Sequence, residues 1–407
     1  MSDTPSALPI AADRGTAGEV FRAFLRLGIS AFGGPVAHLG YFRTEFVIRR
    51  RWIDEDSYAD LLALCHFLPG PASSQLGFLL GVQRAGLSGG IAAWLGFTLP
   101  SALLMVLFAF SVTGLHGPVA SGLLHGLKLT AVAVVAQAVW GMAHNLAPDR
   151  PRAAIALAAM VLSLVGGAFS LPLIAILVGG LLGIMMRLSP GLPSATLGRL
   201  PVRPGGGIFA LILFALIFAA TWLPQSGQTR LALFGLFYHA GALVFGGGHV
   251  VLPLLQKTLV LPGWIGNQAF LAGYGFAQAV PGPLFTFAAY LGAVIAPGGA
   301  RLAGAAIALI GIFLPGLLLV YGVLPFWEGL RRHNSTRAAM AGANAAVVGI
   351  LGAALYTPVW TSAVLSPADA ACAAAGFMAL VRWRMPPWTL VLLLPLVGAV
   401  EGGWSHL

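Results

Sequence analysis

Two halves of this chain spell out the same landmarks in the same order. Phe32-Gly33-Gly34-Pro35 is answered by Phe245-Gly246-Gly247-Gly248, and Trp52-Ile53 by Trp264-Ile265. Leu68-Pro69-Gly70-Pro71 is answered by Val280-Pro281-Gly282-Pro283, and Gly96-Phe97-Thr98-Leu99-Pro100 by Gly311-Ile312-Phe313-Leu314-Pro315. Landmarks recurring at a near-constant offset are the mark of a duplicated unit. The Gly and Pro breaks fall inside apolar segments, where they end one helix and let another begin. Pieces on either side are too short to cross a bilayer, which takes ~20 residues. Their freed backbone groups must face protein or water, because lipid cannot satisfy them. Matching breaks in two repeats point to a transport site built from discontinuous helices.

Composition fixes the solvent. Hydrophobic residues make up 58% of the chain and charged residues 8%, against about 25% charged in soluble domains. The fold class is therefore an all-α polytopic membrane protein whose partner is the lipid bilayer. The net charge of +10 is no sign of nucleic acid, because Lys and Arg collect in cytoplasmic loops of membrane proteins. Cys65 and Cys372 stand apart without a C-x-x-C pair and read as inert thiols. No G-x-x-x-x-G-K-[ST] or H-E-x-x-H occurs, so ATP drive, a metal, a cofactor and an enzymatic role are not expected.

The organisation follows from the repeat. Residues 1–19 read as a tail without a signal peptide, 20–187 as the first repeat, 188–230 as a linker and 231–407 as the second repeat. Hydropathy predicts six elements in the first half: 20–51, 57–85, 88–114, 118–145, 152–169 and 171–187. An extra apolar segment, Gly207 to Leu223, crosses between the halves. The second half predicts 231–260, 266–296, 302–326, 338–360, 366–383 and 388–404.

Arginines orient these elements. Arg14 precedes the first and Arg43, Arg49, Arg50 and Arg51 close it, while Arg84 closes the second. Both elements are therefore expected to dip into the membrane and return to the cytoplasm. Arg150, Arg152, Arg187, Arg199 and Arg203 then fall inside, as do Arg331, Arg332, Arg337, Arg382 and Arg384 of the second half. Arg230, Lys257 and Arg301 fall outside, and Arg22, Arg26 and Lys128 lie within elements. The parity of crossings makes the two repeats inverted, and full crossings by the broken elements would leave that parity unchanged.

The breaks carry the candidate site. A helix beginning at the midplane presents free N–H groups and a positive dipole end, which suits an anion. Gly33, Gly34, Pro35, Pro69, Gly70 and Pro71 with Ser73 and Ser74 form the first-repeat set, Pro35 and Pro71 taking the first helical position. Gly246, Gly247, Pro281, Gly282, Pro283 and Thr286 form the second. Lys128, aligned with Asn344, is a charge deep in an apolar span and marks either a ligand for a dianion or a lysine that snorkels or pairs with a carbonyl. Arg26, His38, Glu45, His66, Arg84 and His249 are secondary candidates, the histidines as structural or proton-coupling groups, with His125, His239 and Lys257 behind them. Asp54, Glu55, Asp56 and Asp60 read as an N-terminal charge cluster on the second element.

These residues resemble a known family. Phe32-Gly-Gly-Pro-Val-Ala-His-Leu-Gly-Tyr-Phe-Arg43, Arg49-Arg-Arg-Trp52 and Leu68-Pro-Gly-Pro-Ala-Ser-Ser-Gln75 are similar to motifs of the chromate ion transporter family in its long, two-repeat form. Gly96-Phe-Thr-Leu-Pro100, Phe245-Gly-Gly-Gly-His249 and Ala279-Val-Pro-Gly-Pro-Leu-Phe-Thr-Phe287 agree with it. His66 departs, standing where the resemblance leads one to expect glutamine, as at Gln278. The resemblance implies secondary active efflux of chromate across the inner (plasma) membrane, driven by protons and conferring resistance, with sulfate as a competitor. The residues alone leave open transport of sulfate or another oxyanion, a passive anion channel or a membrane-embedded enzyme, and they leave the oligomeric state open, a homodimer included.

Overall fold

Caps and breaks set the helix ends. Thr16 accepts from the Glu19 amide at the start of α1 (Ala17–Ser30), and Asp54 accepts from Ser57 at the start of α3 (Glu55–Phe67). Between them α2 (Gly34–Phe42) runs on as π-helix through Arg43–Arg49. The computed structural model describes residues 15–32, 34–112, 117–165, 171–188, 202–222, 229–244, 251–296 and 299–404. Gly33, Gly246, Gly247 and His249 lie outside the described residues, as do residues 1–14, 189–201 and 223–228.

The remaining helices follow the expected order. They are α4 (Ala72–Val112), α5 (Pro118–Leu146), α6 (Arg150–Val165), α7 (Leu171–Met185) and the extra helix α8 (Pro204–Ala220). The second half continues with α9 (Arg230–Ala242), α10 (Val251–Leu259), α11 (Asn267–Ala277), α12 (Phe287–Val294) and α13 (Arg301–Val323). After α14 (Trp327–Arg332) come α15 (Asn334–Ala354), the single turn α16 (Thr361–Ala363), α17 (Pro367–Val381) and α18 (Pro387–Trp404). Among the described residues, four runs are long and apolar enough to cross a membrane: Ala72–Ser111, Val119–Leu146, Arg301–Leu330 and Asn334–Ala363.

The second element ends where it was expected to. Ala85 and Gly86 leave helical geometry, so residues 72–84 of α4 fold back on the rest of that helix. Gly81 and Gly89 let the two arms touch backbone to backbone, and Gly292 against Gly304 does the same for α12 and α13. The helices then exchange partners between repeats. α5 packs on α17 and α18, with Gly126 against Leu394 and Pro395, while α15 packs on α6 and α7, with Gly342 against Gly179 and Gly183. Each repeat therefore closes its core with the last two helices of the other.

Two expectations change. Asp60 does not belong to an exposed N-terminal cluster: it is buried and accepts from Trp327 Nε1 at 3.2 Å. Asp56, one turn earlier on the same face, stays exposed, because Trp327 covers the turn that carries Asp60. Arg337, expected before the fourth element of the second half, lies in the first turn of α15, which begins at Asn334.

Candidate functional site

The Pro-Gly-Pro breaks of the two repeats are bonded to each other's partners. Gly70 N–H donates to the carbonyl of Val244, at the end of the second repeat's first half-helix, at 2.6 Å. Gly282 N–H donates to the carbonyl of Ala31, at the end of the first repeat's first half-helix, at 3.0 Å. Both glycines have positive φ, +126° and +97°, a region closed to most side chains. The amides expected to face an anion at these two residues are thus already used, each by the opposite repeat.

The surroundings obey the same exchange. A Cβ on Gly70 would lie 3.0 Å from the Cα of Gly316, in α13, and one on Gly282 would lie 2.9 Å from Ser101 Oγ, in α4. Gly316 and Ser101 are the residues that follow the matching prolines Pro315 and Pro100. Gln75, fully buried, ties the first break down: its Nε2 donates to Pro69 O at 2.9 Å and to Gly316 O at 3.0 Å. His38 is buried beside Phe97 with Nε2 3.2 Å from Ala31 O. A carbonyl only accepts, so Nε2 carries the proton there.

Several polar atoms flanking these breaks are buried and unpartnered. They are His38 Nδ1, Ser74 Oγ, Gln75 Oε1 and Thr98 Oγ1. Buried polar atoms without partners are costly and call for a water or a ligand. Ser73 and Ser74 are both buried in the first turn of α4. Pro71 caps that helix instead of opening it, its carbonyl accepting from Gln75 N. Pro35 is the second residue of α2, and Pro283 precedes a 3-10 turn, Leu284–Thr286. The Thr286 hydroxyl turns back to Pro283 O at 2.9 Å.

The charged candidates separate from the breaks. Lys128 is buried in α5, and its Nζ donates to Ser362 O at 3.4 Å. Asp369 acts on it electrostatically and accepts from His125 Nε2 at 2.7 Å. Lys128 therefore has the carbonyl partner weighed as its alternative reading. Asn344, aligned with it, keeps Oδ1 buried without a partner. Glu45 pairs with Arg49 and Arg50, Arg84 pairs with Glu19, and Arg26 is exposed on α1. His66 is exposed on α3.

The helices that follow the first breaks pack differently in the two repeats. α11 lies against α5, Gly275 meeting the backbone of Leu127. The equivalent helices, α3 and α15, have no comparable packing. α3 leans instead on α14, through Asp60–Trp327 and the edge-on pair Phe67–Trp327.

The sequence profile described as "Chromate transporter" matches residues 18–184 and again residues 231–399. The chain belongs to the chromate transporter family. Among curated relatives, the chromate transport protein of Pseudomonas aeruginosa is 28% identical over 95% of this chain and 91% of its own length. A probable chromate transport protein of Synechococcus elongatus is 29% identical over 81% of this chain and 83% of its own. The chromate transport protein of Cupriavidus metallidurans is 26% identical over 82% of this chain and 80% of its own. No solved structure matches the chain. As a member of the family it is a multi-pass integral membrane protein, of the inner membrane in bacteria.

Sequence reasoning missed three parts of this site. Gln75 was visible in Pro71-Ala-Ser-Ser-Gln75 as a buried amide just past a break. Asp369 was visible in Ser366-Pro-Ala-Asp369, which forms a capping box. The carbonyls of Ala31 and Val244 carry no side-chain signal at all.

Proposed function

We propose that this chain exports chromate from the cytoplasm by alternating access, driven by the proton gradient, and so confers chromate resistance. The observation that carries the reading is the reciprocal pair of bonds, Gly70 to Val244 and Gly282 to Ala31, in a chain of the chromate transporter family. The two Pro-Gly-Pro breaks meet the ends of α1 and α9 where these bonds cross. A tetrahedral dianion placed there is held by Ser73, Ser74 and the first-turn amides of α4, without a step of covalent chemistry. Gly33, Gly34, Pro35, Gly246 and Gly247 belong to the same proposed site by their place in the repeat.

The unequal packing of α5–α11 and α3–α15 supports alternating access. Repeats of opposite orientation place α3 in the cytoplasmic half of the membrane and α11 in the outer half. α3 is then left unpacked against α15 on the cytoplasmic side, and exchanging the two packings would close that side and open the other. Sulfate has the shape and charge of chromate and competes for the same site. Everted vesicles carrying the full chain test the reading. Chromate should accumulate when a proton gradient is imposed, less so when sulfate is added, and not after an uncoupler. Accumulation unaffected by the uncoupler removes proton drive. Equilibration without accumulation makes the protein a channel, and sulfate uptake without chromate uptake makes it a transporter of another oxyanion.

A further inference from the structure

A second cavity lies apart from the breaks, among α10, the end of α6 and the end of α15. It holds about 300 Å³ and its lining is mainly apolar. Its polar members are Ser163, Gln256, Lys257, Asn267 and Thr357, and no carboxylate is among its lining residues. Gln256 Nε2 and Asn267 Oδ1 satisfy each other at 2.9 Å. Of the donors that remain, Lys257 Nζ and Ser163 Oγ are both shut from solvent without a hydrogen-bond partner. An ammonium and a hydroxyl left without partners on the wall of one mainly apolar cavity are costly.

The first repeat shows what has been lost. Counting from Phe32 and Phe245, Arg43 corresponds to Gln256 and Thr44 to Lys257; counting from Trp52 and Trp264, Glu55 corresponds to Asn267. In the first repeat Arg43 Nε meets Glu55 Oε1 at 2.6 Å, so that cation is neutralised within the protein. In the second repeat both partners have become amides, and a lysine has appeared beside them. The cation is there and its counter-charge is not.

We infer that this cavity is an anion subsite that takes a tetrahedral oxyanion group, held by Lys257 Nζ and Ser163 Oγ. The group is either a free oxyanion or the phosphate of an anionic lipid, since the two present the same oxygens. The apolar wall accommodates the lipid form without change. The inference is independent of what crosses the membrane at the breaks.

The full chain in phosphatidylcholine nanodiscs, melted with and without sodium sulfate at matched ionic strength, reads the free-ion form. The same chain in phosphatidylglycerol nanodiscs without sulfate reads the lipid form. Lys257→Met and Ser163→Ala are compared with the unchanged chain in both. Lys257→Met removes a lone buried charge, so without ligand it should melt no lower. Stabilisation by sulfate or by phosphatidylglycerol should shrink in both variants. The half-saturating sulfate concentration should rise roughly tenfold for Lys257→Met, the factor lost with one charge-assisted hydrogen bond. Sulfate acting alone identifies a free-ion subsite, and phosphatidylglycerol acting alone identifies a lipid subsite. Equal stabilisation of both variants and the unchanged chain, in both media, overturns the inference. Chromate transport is not the readout, so a failed export test leaves this result standing.

Discussion

Adding one methyl group to Gly70 tests whether the crossed bonds hold the site together. At φ +126° an alanine is strained, which costs ~1–3 kcal/mol. Its Cβ would lie 2.7 Å from Gln75 Nε2 and 3.0 Å from Gly316 Cα. Gln75 is pinned by two hydrogen bonds and Gly316 is backbone, so neither yields freely, and forced overpacking costs a further ~1–3 kcal/mol. The sum is a large part of the ~5–15 kcal/mol that holds a typical domain folded. Gly282→Ala should cost less. Its φ is also positive, +97°, but its nearest neighbours, the Ser101 hydroxyl at 2.9 Å and the Phe97 carbonyl at 3.1 Å, lie slightly farther off, and the hydroxyl is held by one hydrogen bond, to Thr98 O, where Gln75 has two. Gly329→Ala, where nothing lies within 4 Å, is the control. Thermal melting of the purified protein and chromate uptake into everted vesicles should both rank the chains Gly329→Ala, Gly282→Ala, Gly70→Ala, from mildest to most severe. A Gly70→Ala chain with unchanged melting and uptake would refute the crossed-bond account.

Other measurements bear on the remaining parts. Lys128→Gln, which loses the charge that faces Ser362 O and Asp369, should lower Tm while leaving the apparent affinity for chromate unchanged; weaker chromate binding would return Lys128 to the substrate. Single cysteines at Asn145 and Leu365, in a chain without Cys65 and Cys372, should label from opposite sides of the membrane, and labelling from one side removes the inversion. Asp54→Ala should cost ~1 kcal/mol as the loss of an N-cap. Partial burial works against the Asp54 charge, yet hydrogen bonds from the Ser57 amide and hydroxyl outweigh it and hold the carboxyl below its ordinary value. That contribution is present above the ordinary aspartate range and is lost as pH falls through the lowered value, so wild type and Asp54→Ala should converge in Tm on acidification; a gap that persists in acid contradicts it.

Most of the helix order was legible because the bilayer leaves so few options. Apolar length, Gly/Pro breaks and arginine placement were enough to find six elements in each half and the extra helix between them. The breaks themselves were legible because Pro-Gly-Pro is written twice. What the breaks bind was not, because the decisive acceptors are main-chain carbonyls of Ala31 and Val244, and any residue offers a carbonyl. Lys128 was legible as an anomaly, but its partner was not: Ser362 and Asp369 lie more than two hundred residues away and become neighbours only through the exchange of helices between repeats. Asp60 misled for a similar reason, since nearby acidic residues in sequence look like one cluster until a distant side chain, here Trp327, covers one of them.

The exchange of partners also bears on how such a protein can be assembled from parts. A single repeat standing alone keeps the Gly70 amide and the Ala31 carbonyl but has neither Val244 nor Gly282 to meet them. Its helix α5 likewise lacks α17 and α18, which cover it. Half of this chain is therefore an incomplete object whose unmet groups are complementary to a second half. A unit of that length can fold only by pairing with another, as a copy of itself or as a sister chain facing the opposite way. The two halves cut apart at the linker and made together should find each other in the membrane, whereas either made alone should be degraded.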